Sequence, residues 1–434
     1  MVGDNKKING FFMKTVPVLY GIAIFMLNVL YEYPKDFVYL TVIAVMAISI
    51  YLVLKYKNRW ELLIIFAFLF YYNYSIVMAE FVLTIDDFFT IYAWTKESYI
   101  ALNSILLYMI VICMFSPAEK KTELGEGVYN TCKRNNGFVV LCIALVLVLI
   151  FIFGYKRPEA NERGAPSPLY EYSIIFFIVG YMYAGKAYKK VLTALLVIFA
   201  LQNFIFGGRV TGLQLILIWF LVNYSHKAKL KLLVPVIIVA LIAMGIIGSV
   251  RGNYSGFNLS EMVKDVWNDL RGTMFVNDTA YSAYHTSVTF IKSETVGWGE
   301  RLRIFKNYML SMILGGSKVP DSNLAEYTHR RFMHYYGGVL PVYCHFFMGY
   351  AGVVLSSFLT LVYIRMISKI NEDSSAIVKC ISIYITSGLS RWYLYAPSNL
   401  MRGVMLLSIV YMGIYAIDNL MYNRYNRRRY NGFN

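Results

Sequence analysis

The sequence predicts an all-α, polytopic integral membrane protein with about twelve transmembrane helices and one long external helical loop. The first indication is the composition, because 58% of the 434 residues are hydrophobic and only 15% are charged. A soluble domain carries about 25% charged residues. The second is that apolar runs of membrane-spanning length follow one another along the chain. The third is that lysine and arginine occupy alternate gaps between those runs.

Each predicted helix is an apolar run close to the roughly 20 residues that cross a bilayer. Tyrosine and tryptophan crowd the ends of these runs, as is typical at the membrane–water interfaces. In chain order, the predicted spans are 11–30, 37–54, 61–79, 99–115, 138–154, 172–185, 191–206, 210–224, 232–250, 337–362, 378–396 and 403–418. We therefore expect residues 1–434 to form a single transmembrane domain.

The net charge of +16 is spread over alternate loops and is not gathered in one patch. A nucleic-acid-binding surface would gather it, so the pattern argues against nucleic acid as a partner. Cytoplasmic loops retain Lys and Arg, and the alternation therefore predicts that both termini are cytoplasmic. The basic gaps contain Lys6/Lys7/Lys14, Lys55/Lys57/Arg59, Lys120/Lys121/Lys133/Arg134, Lys186/Lys189/Lys190, Lys227/Lys229/Lys231, Arg365/Lys369/Lys379 and Arg424/Arg427/Arg428/Arg429.

Three segments on the predicted external side are distinctive: the proline-containing basic loop 155–171, the tight Gly207-Gly208-Arg209 turn, and the long loop 251–336. In the long loop, Asn258 and Glu261 have the spacing of a helix start. A second helix is predicted from about 300 to 314, where Phe305, Tyr308, Met309, Met312 and Ile313 form one apolar stripe and Arg301, Arg303 and Lys306 lie off it. This pattern is typical of a helix in the membrane interface, so we expect the loop to cap the external membrane face.

Placing a charged residue in or against the membrane costs free energy, so such residues suggest function. Arg209, Arg251, Arg391 and Arg402 fall at the predicted external ends of spans. Arginine offers a planar fork of donors that suits phosphate oxygens, so several on one face predict a diphosphate site. The alternative is that they extend to lipid headgroups or pair with Glu80, Asp86 or Asp87.

A second group, His329, Arg330, Arg331 and His334, precedes a predicted span on the same side. Histidine titrates near neutral pH and takes up protons from hydroxyl groups, and adjacent arginines suit a phosphate leaving group. The alternative is an interfacial basic cluster. No Asp or Glu follows at metal-ligand spacing, and no phosphate-binding glycine loop is present, so we expect neither a metal nor another cofactor. His226, His285 and His345 are weaker candidates.

The layout resembles the Wzy-type O-antigen and repeat-unit polymerases and, more distantly, the O-antigen ligases. The features that carry the resemblance are the proline-rich basic loop after the fifth span, Gly-Gly-Arg after the seventh, the long loop before the tenth, and His-Tyr-Tyr-Gly-Gly-Val-Leu-Pro at 334–341 running into 347–352. The two external loops lack the Arg-x10-Gly pattern of some members.

The resemblance implies a glycosyltransferase that joins undecaprenyl-diphosphate-linked repeat units, for O-antigen or capsule, by inverting transfer at the external face of the bacterial inner membrane, without nucleotide or metal. It implies a base in the long loop, His334 or His329. The donor diphosphate would be held by Arg209, Arg251, Arg330, Arg331 and Arg402, and the acceptor glycan by Arg163, Tyr335 and Tyr336. Membrane lipids and a protein that regulates chain length are the further partners implied.

Two other functions compete with this interpretation. A lipid-linked oligosaccharide flippase or another secondary transporter would place charges near the midplane, whereas here they gather at one face. A membrane acyltransferase would require a buried His–Asp or His–Asn pair, and the sequence indicates none.

Overall fold

The computed structural model describes residues 2–83, 95–118, 129, 136–156, 165–206, 208–225, 228, 242, 259–332, 334 and 337–431. In chain order, the helices are α1 Val2–Leu30, α2 Val38–Lys55, α3 Trp60–Val77, α4 Lys96–Phe115, α5 Gly137–Phe153, α6 Pro168–Tyr183, α7 Lys186–Phe206, α8 Arg209–Asn223, α9 Leu259–Gly272, α10 Asp278–Lys292, α11 Trp298–Leu314, α12 Leu324–His329, α13 Leu340–Ser368, α14 Ala376–Ser387, α15 Leu389–Leu394 and α16 Ser398–Asn431. A π-helical segment, Met78–Val82, continues α3. Strands β1 Tyr155–Lys156 and β2 Ala165–Pro166 pair antiparallel.

The all-helical fold that the sequence predicts is confirmed, and it is compatible with a helical membrane protein. Within the described residues, six helices are long and apolar enough to cross a membrane: Lys35–Lys55, Trp60–Val82, Lys96–Phe115, Lys186–Phe204, Leu340–Ser368 and Ser398–Tyr422. Five shorter apolar helices are Thr15–Leu30, Gly137–Phe153, Leu169–Tyr183, Arg209–Asn223 and Ala376–Ser387. The number of twelve spans stays a prediction, and most of the predicted span 232–250 lies outside the described residues.

One predicted span is interrupted. Residues 378–396 form two helices, α14 and the short α15, separated at Gly388, whose amide still bonds to the Tyr384 carbonyl oxygen at 2.9 Å. The end of α15 bonds to a different segment: the Leu394 carbonyl oxygen accepts a hydrogen bond from the Gly338 amide at 2.8 Å. Hydropathy alone does not register such a break, since both halves are apolar.

The chain divides into two compact units. Unit 1 contains Met1–Thr122, Asp269–Lys369 and Leu389–Arg402, and unit 2 contains Glu123–Asn268, Ile370–Gly388 and Gly403–Asn434. In unit 1, α13 packs against α4, and α1, α2 and α3 complete the bundle. In unit 2, α5 to α8 pack together, and α14 packs on α6 and α8.

Helix α10, part of the predicted external loop, is buried inside unit 1 against α3, α4 and α13. The turn before it is fastened to α3, because Tyr71 Oη donates to the Phe275 carbonyl oxygen at 3.0 Å and Tyr74 Oη donates to that of Met274 at 2.7 Å. The Asn277 amide also donates to Ser75 Oγ at 2.9 Å. The role of the whole loop as a cap stays a prediction, but this helix packs among the span helices.

Helix α11 follows the predicted bounds, with Gly315 after its last residue, but its inner face differs from the predicted stripe. Ile304, Tyr308 and Met312 are buried in an apolar cluster with Tyr343 and Phe347. Met309 and Ile313 are exposed instead, and Arg301 is buried. The prediction of a single stripe was wrong because apolar residues cover two faces of this helix, and only packing decides which face turns inward.

Helix α13 is kinked at Met348 (φ −138°, ψ 17°) and Gly349 (φ 59°, ψ −148°). The Gly349 backbone lies in a region that side chains other than glycine rarely adopt. The kink separates the first two turns of the helix, which face α10 and α11, from the longer part that packs along α4.

Candidate functional site

The His329–His334 cluster lies at the end of the short helix α12. Asn323 begins this helix by accepting a hydrogen bond from the Ala325 amide at 3.1 Å, as a capping side chain does. The chain then returns, so that His334 Nε2 lies 2.9 Å from Thr328 Oγ1 and the His334 carbonyl oxygen lies 3.1 Å from His329 Nδ1. The two predicted catalytic histidines therefore contact each other, with ring centroids 5.2 Å apart.

This geometry selects one tautomer of His329. A carbonyl oxygen only accepts hydrogen bonds, so in the neutral ring Nδ1 carries the proton and the lone pair lies on Nε2. The His329 side chain is exposed, whereas His334 is 4% exposed. His329 is thus suited to take a proton from a large bound molecule. His334 is suited to orient the His329 ring.

Carboxylates hold the cations beside this cluster. Asp321 binds Arg330 Nη1 at 2.8 Å and Arg303 Nη2 at 2.9 Å. Arg303 also forms a bidentate pair with Glu300, at 2.8 and 2.6 Å. These hydrogen bonds lower the pKa of the Glu300 carboxyl below its ordinary value. The charge of Arg330 is therefore partly offset, and its guanidinium is held in one position.

Two other predicted diphosphate-binding arginines also belong to unit 1. The Arg331 guanidinium lies over the Tyr327 ring, 5.5 Å from its centre. Arg402 Nη2 lies 3.2 Å from the point that a Cβ on Gly315 would occupy, and Gly315 has a φ of +95°. A larger residue at 315 would strain the backbone and crowd the guanidinium, so the glycine makes room for Arg402.

Of the remaining predicted site residues, the structure describes Arg209 alone. Arg209 is the first residue of α8 in unit 2. Arg163, Arg251, Tyr335 and Tyr336 lie outside the described residues. The structure therefore brings together His329, His334, Arg330 and Arg331.

Sequence reasoning undervalued His345, which pairs with Glu294. His345 Nδ1 lies 2.6 Å from Glu294 Oε1. The Arg301 guanidinium approaches the other carboxylate oxygen at 3.9 Å, and it donates to the Phe346 carbonyl oxygen at 3.3 Å. Arg301 also bonds to the Glu294 carbonyl oxygen. This group ties the start of α11 to α13, three residues before the kink.

A second such pair lies deeper in unit 1. His285 Nε2 is 3.2 Å from Glu80 Oε2, and their side chains are 5% and 1% exposed. Glu80 Oε1 accepts a hydrogen bond from Ser98 Oγ at 2.9 Å. Glu80 belongs to the π-helical segment, and such segments are frequent at functional sites.

These pairs had only a weak signal in the sequence. Glu294 and His345 are 51 residues apart, so no local spacing rule connects them. The one available signal was an ionisable residue inside an apolar run, which held for Glu80 and for His345. The acyltransferase alternative required a buried His–Asp or His–Asn pair. Among the described residues, His285 pairs with the buried Glu80, and the buried His345 pairs with Glu294, whose side chain is 23% exposed.

Metal ligation has no local support in the described part of the chain, where no group of three or more His, Cys, Asp or Glu side chains could hold an ion. The expectation that the protein uses no cofactor stays a prediction. Comparison with known proteins adds no identification, because no family model, no curated protein and no solved structure matches this chain.

Proposed function

We propose that this protein is a membrane glycosyltransferase that polymerises undecaprenyl-diphosphate-linked oligosaccharide repeat units, for O-antigen or capsule, at the external face of a bacterial inner membrane. The observation that carries the proposal is the orientation of the exposed His329 ring by the His334 carbonyl oxygen at 3.1 Å. A base whose partner nitrogen is held by a fixed acceptor is the arrangement that general-base catalysis uses.

The proposed step is a displacement at the anomeric carbon of the donor. His329 Nε2 takes the proton of an acceptor hydroxyl, and that oxygen forms the new glycosidic bond. The bond between the anomeric carbon and the diphosphate oxygen breaks, and the diphosphate keeps the electron pair. Because attack and departure occur on opposite faces, the anomeric configuration inverts.

The arginines complete the proposed site by stabilising the diphosphate as it leaves. Arg331 and Arg402 are the candidates in unit 1, while Arg330 acts mainly through its pair with Asp321. Arg209 and Arg251 stay proposed diphosphate ligands, and Arg163, Tyr335 and Tyr336 stay proposed ligands of the acceptor glycan. A chain-length regulator stays a proposed partner.

The buried histidines are less suitable as the base, although a carboxylate orients each of them. The His345 and His285 side chains are 7% and 5% exposed. A glycan acceptor is bulky and hydrated, so it needs a base at the surface. Access therefore favours His329 over the carboxylate-paired histidines.

One observation favours a second function. The Glu80–His285 pair lies at the end of a candidate span, and ionisable pairs within membrane segments are common in transporters. A lipid-linked oligosaccharide flippase is therefore the alternative, with Glu80 and His285 as its coupling groups.

The test is a polymerisation assay with the purified full-length protein and a synthetic lipid-diphosphate-linked repeat unit. It compares the wild type with His329→Ala and Glu326→Ala. Glu326 is an exposed residue on the same short helix and serves as the matched control. We expect a glycan ladder from wild type and Glu326→Ala and its loss in His329→Ala. Movement of lipid-linked sugar across proteoliposomes without any ladder would favour the flippase and exclude the polymerase.

A further inference from the structure

The backbone directly after α1 is strained. Glu32 and Tyr33 have φ values of +54° and +66°, in the left-handed region that residues other than glycine rarely adopt. A Schellman helix end accounts for Glu32, because the Tyr33 amide donates to the Asn28 carbonyl oxygen at 2.7 Å. It does not account for Tyr33, since a residue before a proline, here Pro34, favours an extended backbone. Such strain persists only where other contacts hold it.

The Tyr33 hydroxyl group shows which contact holds this turn. Tyr33 Oη lies 2.5 Å from Tyr350 Oη, across 317 residues of sequence. Tyr350 follows Gly349, where α13 is kinked, and a Cβ on Gly349 would contact nothing within 4 Å. Two uncommon backbone conformations therefore bring two hydroxyl groups together beside open space. Backbone of this kind is concentrated at binding and catalytic sites.

The hydroxyl pair keeps one hydrogen for another partner. Tyr350 Oη also accepts a hydrogen bond from Asn103 Nδ2 at 3.3 Å. Only one of the two tyrosines donates in the bond between them, so the hydrogen of the other is available whichever way that bond points. Among the described residues, no further acceptor contacts either hydroxyl group.

A carboxylate with one unused oxygen belongs to the same network. His345 Nδ1 lies 2.6 Å from Glu294 Oε1, and the His345 ring packs against the Tyr350 ring with centroids 4.7 Å apart. Glu294 Oε2 is 3.9 Å from Arg301 Nη1, which is too far for a hydrogen bond. In the described part of the chain Oε2 accepts none, and the Glu294 side chain is 23% exposed. Burial raises the pKa of Tyr33, and the charge of Glu294 raises it further.

These groups fit a neutral ligand that carries hydroxyl groups. A sugar hydroxyl both donates and accepts, so it can bond to the carboxylate oxygen and to the remaining tyrosine hydrogen. The charges beside the network are balanced, because Arg301 offsets Glu294 and Lys96 pairs with Glu32 at 3.2 Å. Neither an anion nor a cation is therefore favoured, and the aromatic rings add apolar surface for a sugar ring.

We propose that Glu294, Tyr33 and Tyr350 form a sugar-binding site, with His345 as the residue that positions the Glu294 carboxylate. The inference rests on the proposed function for the identity of the sugar, which is then part of the acceptor glycan. It adds a site in unit 1 for a substrate whose other proposed ligands lie outside the described residues.

The first turn of α11 connects this site to the His329 cluster. Glu300 accepts a hydrogen bond from Tyr327 Oη at 3.4 Å, and the next residue, Arg301, contacts Glu294. Because the proposed base His329 acts on the acceptor hydroxyl, a sugar site joined to it through one helical turn suits the acceptor.

The test is calorimetric titration of the full-length protein in detergent with the lipid-free oligosaccharide of the repeat unit. Tyr33→Phe/Tyr350→Phe removes both hydroxyl groups and keeps both rings, and we expect the Kd to rise by about three- to tenfold, the effect of one neutral hydrogen bond. Glu294→Gln should raise the Kd by at least about tenfold, because the acceptor it removes is charged. Tyr39→Phe/Tyr363→Phe removes two hydroxyl groups elsewhere in unit 1 and is the matched control, with an unchanged Kd.

A second measurement needs no variant. In the wild type, carbodiimide labelling of Glu294 is followed by peptide mapping. Oligosaccharide at tenfold its Kd should slow the labelling by about tenfold, since most sites are then occupied, and sugar-free undecaprenyl diphosphate should leave it unchanged. Labelling that the oligosaccharide does not slow, or that the sugar-free lipid slows equally, would overturn the inference. An unchanged Kd in both site variants at the wild-type unfolding temperature would overturn it as well.

The polymerisation assay separates this inference from the proposed function. Oligosaccharide binding that protects Glu294, without any glycan ladder, supports the sugar site and counts against the polymerase. A ladder from a protein whose Glu294 is not protected supports the polymerase and overturns the sugar site.

Discussion

The two kinds of histidine site in unit 1 differ in the partner of the ring and in its access to solvent. His329 is exposed and oriented by a carbonyl oxygen, whereas His285 and His345 are buried and paired with glutamates. A carboxylate stabilises an imidazolium better than a carbonyl oxygen does. Burial, however, prevents a large substrate from reaching the ring. The comparison teaches that the best-paired histidine and the best-placed histidine are different residues here, so the two sites should respond differently to mutation.

The largest expected effect is on activity at the exposed site. We expect His329→Ala to lower the polymerisation rate by at least about 100-fold, the usual contribution of a general base, with little change in the unfolding temperature. The measurement is initial rate and thermal unfolding on the same preparation. If His345→Gln instead lowered the rate by this amount while His329→Ala kept the wild-type rate, the comparison would be reversed.

At the buried Glu80–His285 pair, we expect mutation to change the stability of the protein. Glu80→Ala leaves the buried polar His285 ring without its carboxylate neighbour, and we expect a loss of about 1–3 kcal/mol in the free energy of unfolding. Replacing both residues by leucine should cost much less, because no charged or polar group is then left unpaired. Denaturant unfolding in detergent measures both variants. If the double variant is as unstable as Glu80→Ala, packing and not charge controls this site.

The kink after His345 provides a test of backbone strain alone. A Cβ at Gly349 would contact nothing within 4 Å, yet its φ is +59°. We expect Gly349→Ala to cost about 1–3 kcal/mol in the free energy of unfolding. Gly413→Ala is the control, because it also meets open space and has no left-handed φ. Equal stability of the two variants would show that the kink does not require glycine.

The smallest effect concerns the ion pairs beside His329. Arg303 lowers the folded-state pKa of Glu300, so the pair contributes stability that is present above the unfolded pKa and lost as pH falls through the folded pKa. The stability difference between wild type and Glu300→Gln should therefore be present at pH 7 and shrink as pH falls below about 4. Thermal unfolding from pH 7 to pH 3 measures it. A difference that does not change with pH would mean that the carboxylate charge contributes nothing.

Much of the fold followed from the sequence. The predicted span 210–224 is the helix Arg209–Asn223, and 138–154 is Gly137–Phe153. Such agreement has a local cause, because in a bilayer every backbone group must bond within its own helix. The cluster of His329, His334, Arg330 and Arg331 was also predictable, since its members are neighbours in sequence.

The sequence by itself determined the all-helical class of the fold and the bounds of several helices, such as Arg209–Asn223 and Gly137–Phe153, because apolar length is a local property. Tertiary structure alone decided that α10 is buried, that Ile304 and not Met309 faces the core of unit 1, and that Glu294 meets His345. Each of these depends on packing between segments far apart in the chain. Long-range pairing of that kind leaves no periodicity for a sequence pattern to reveal.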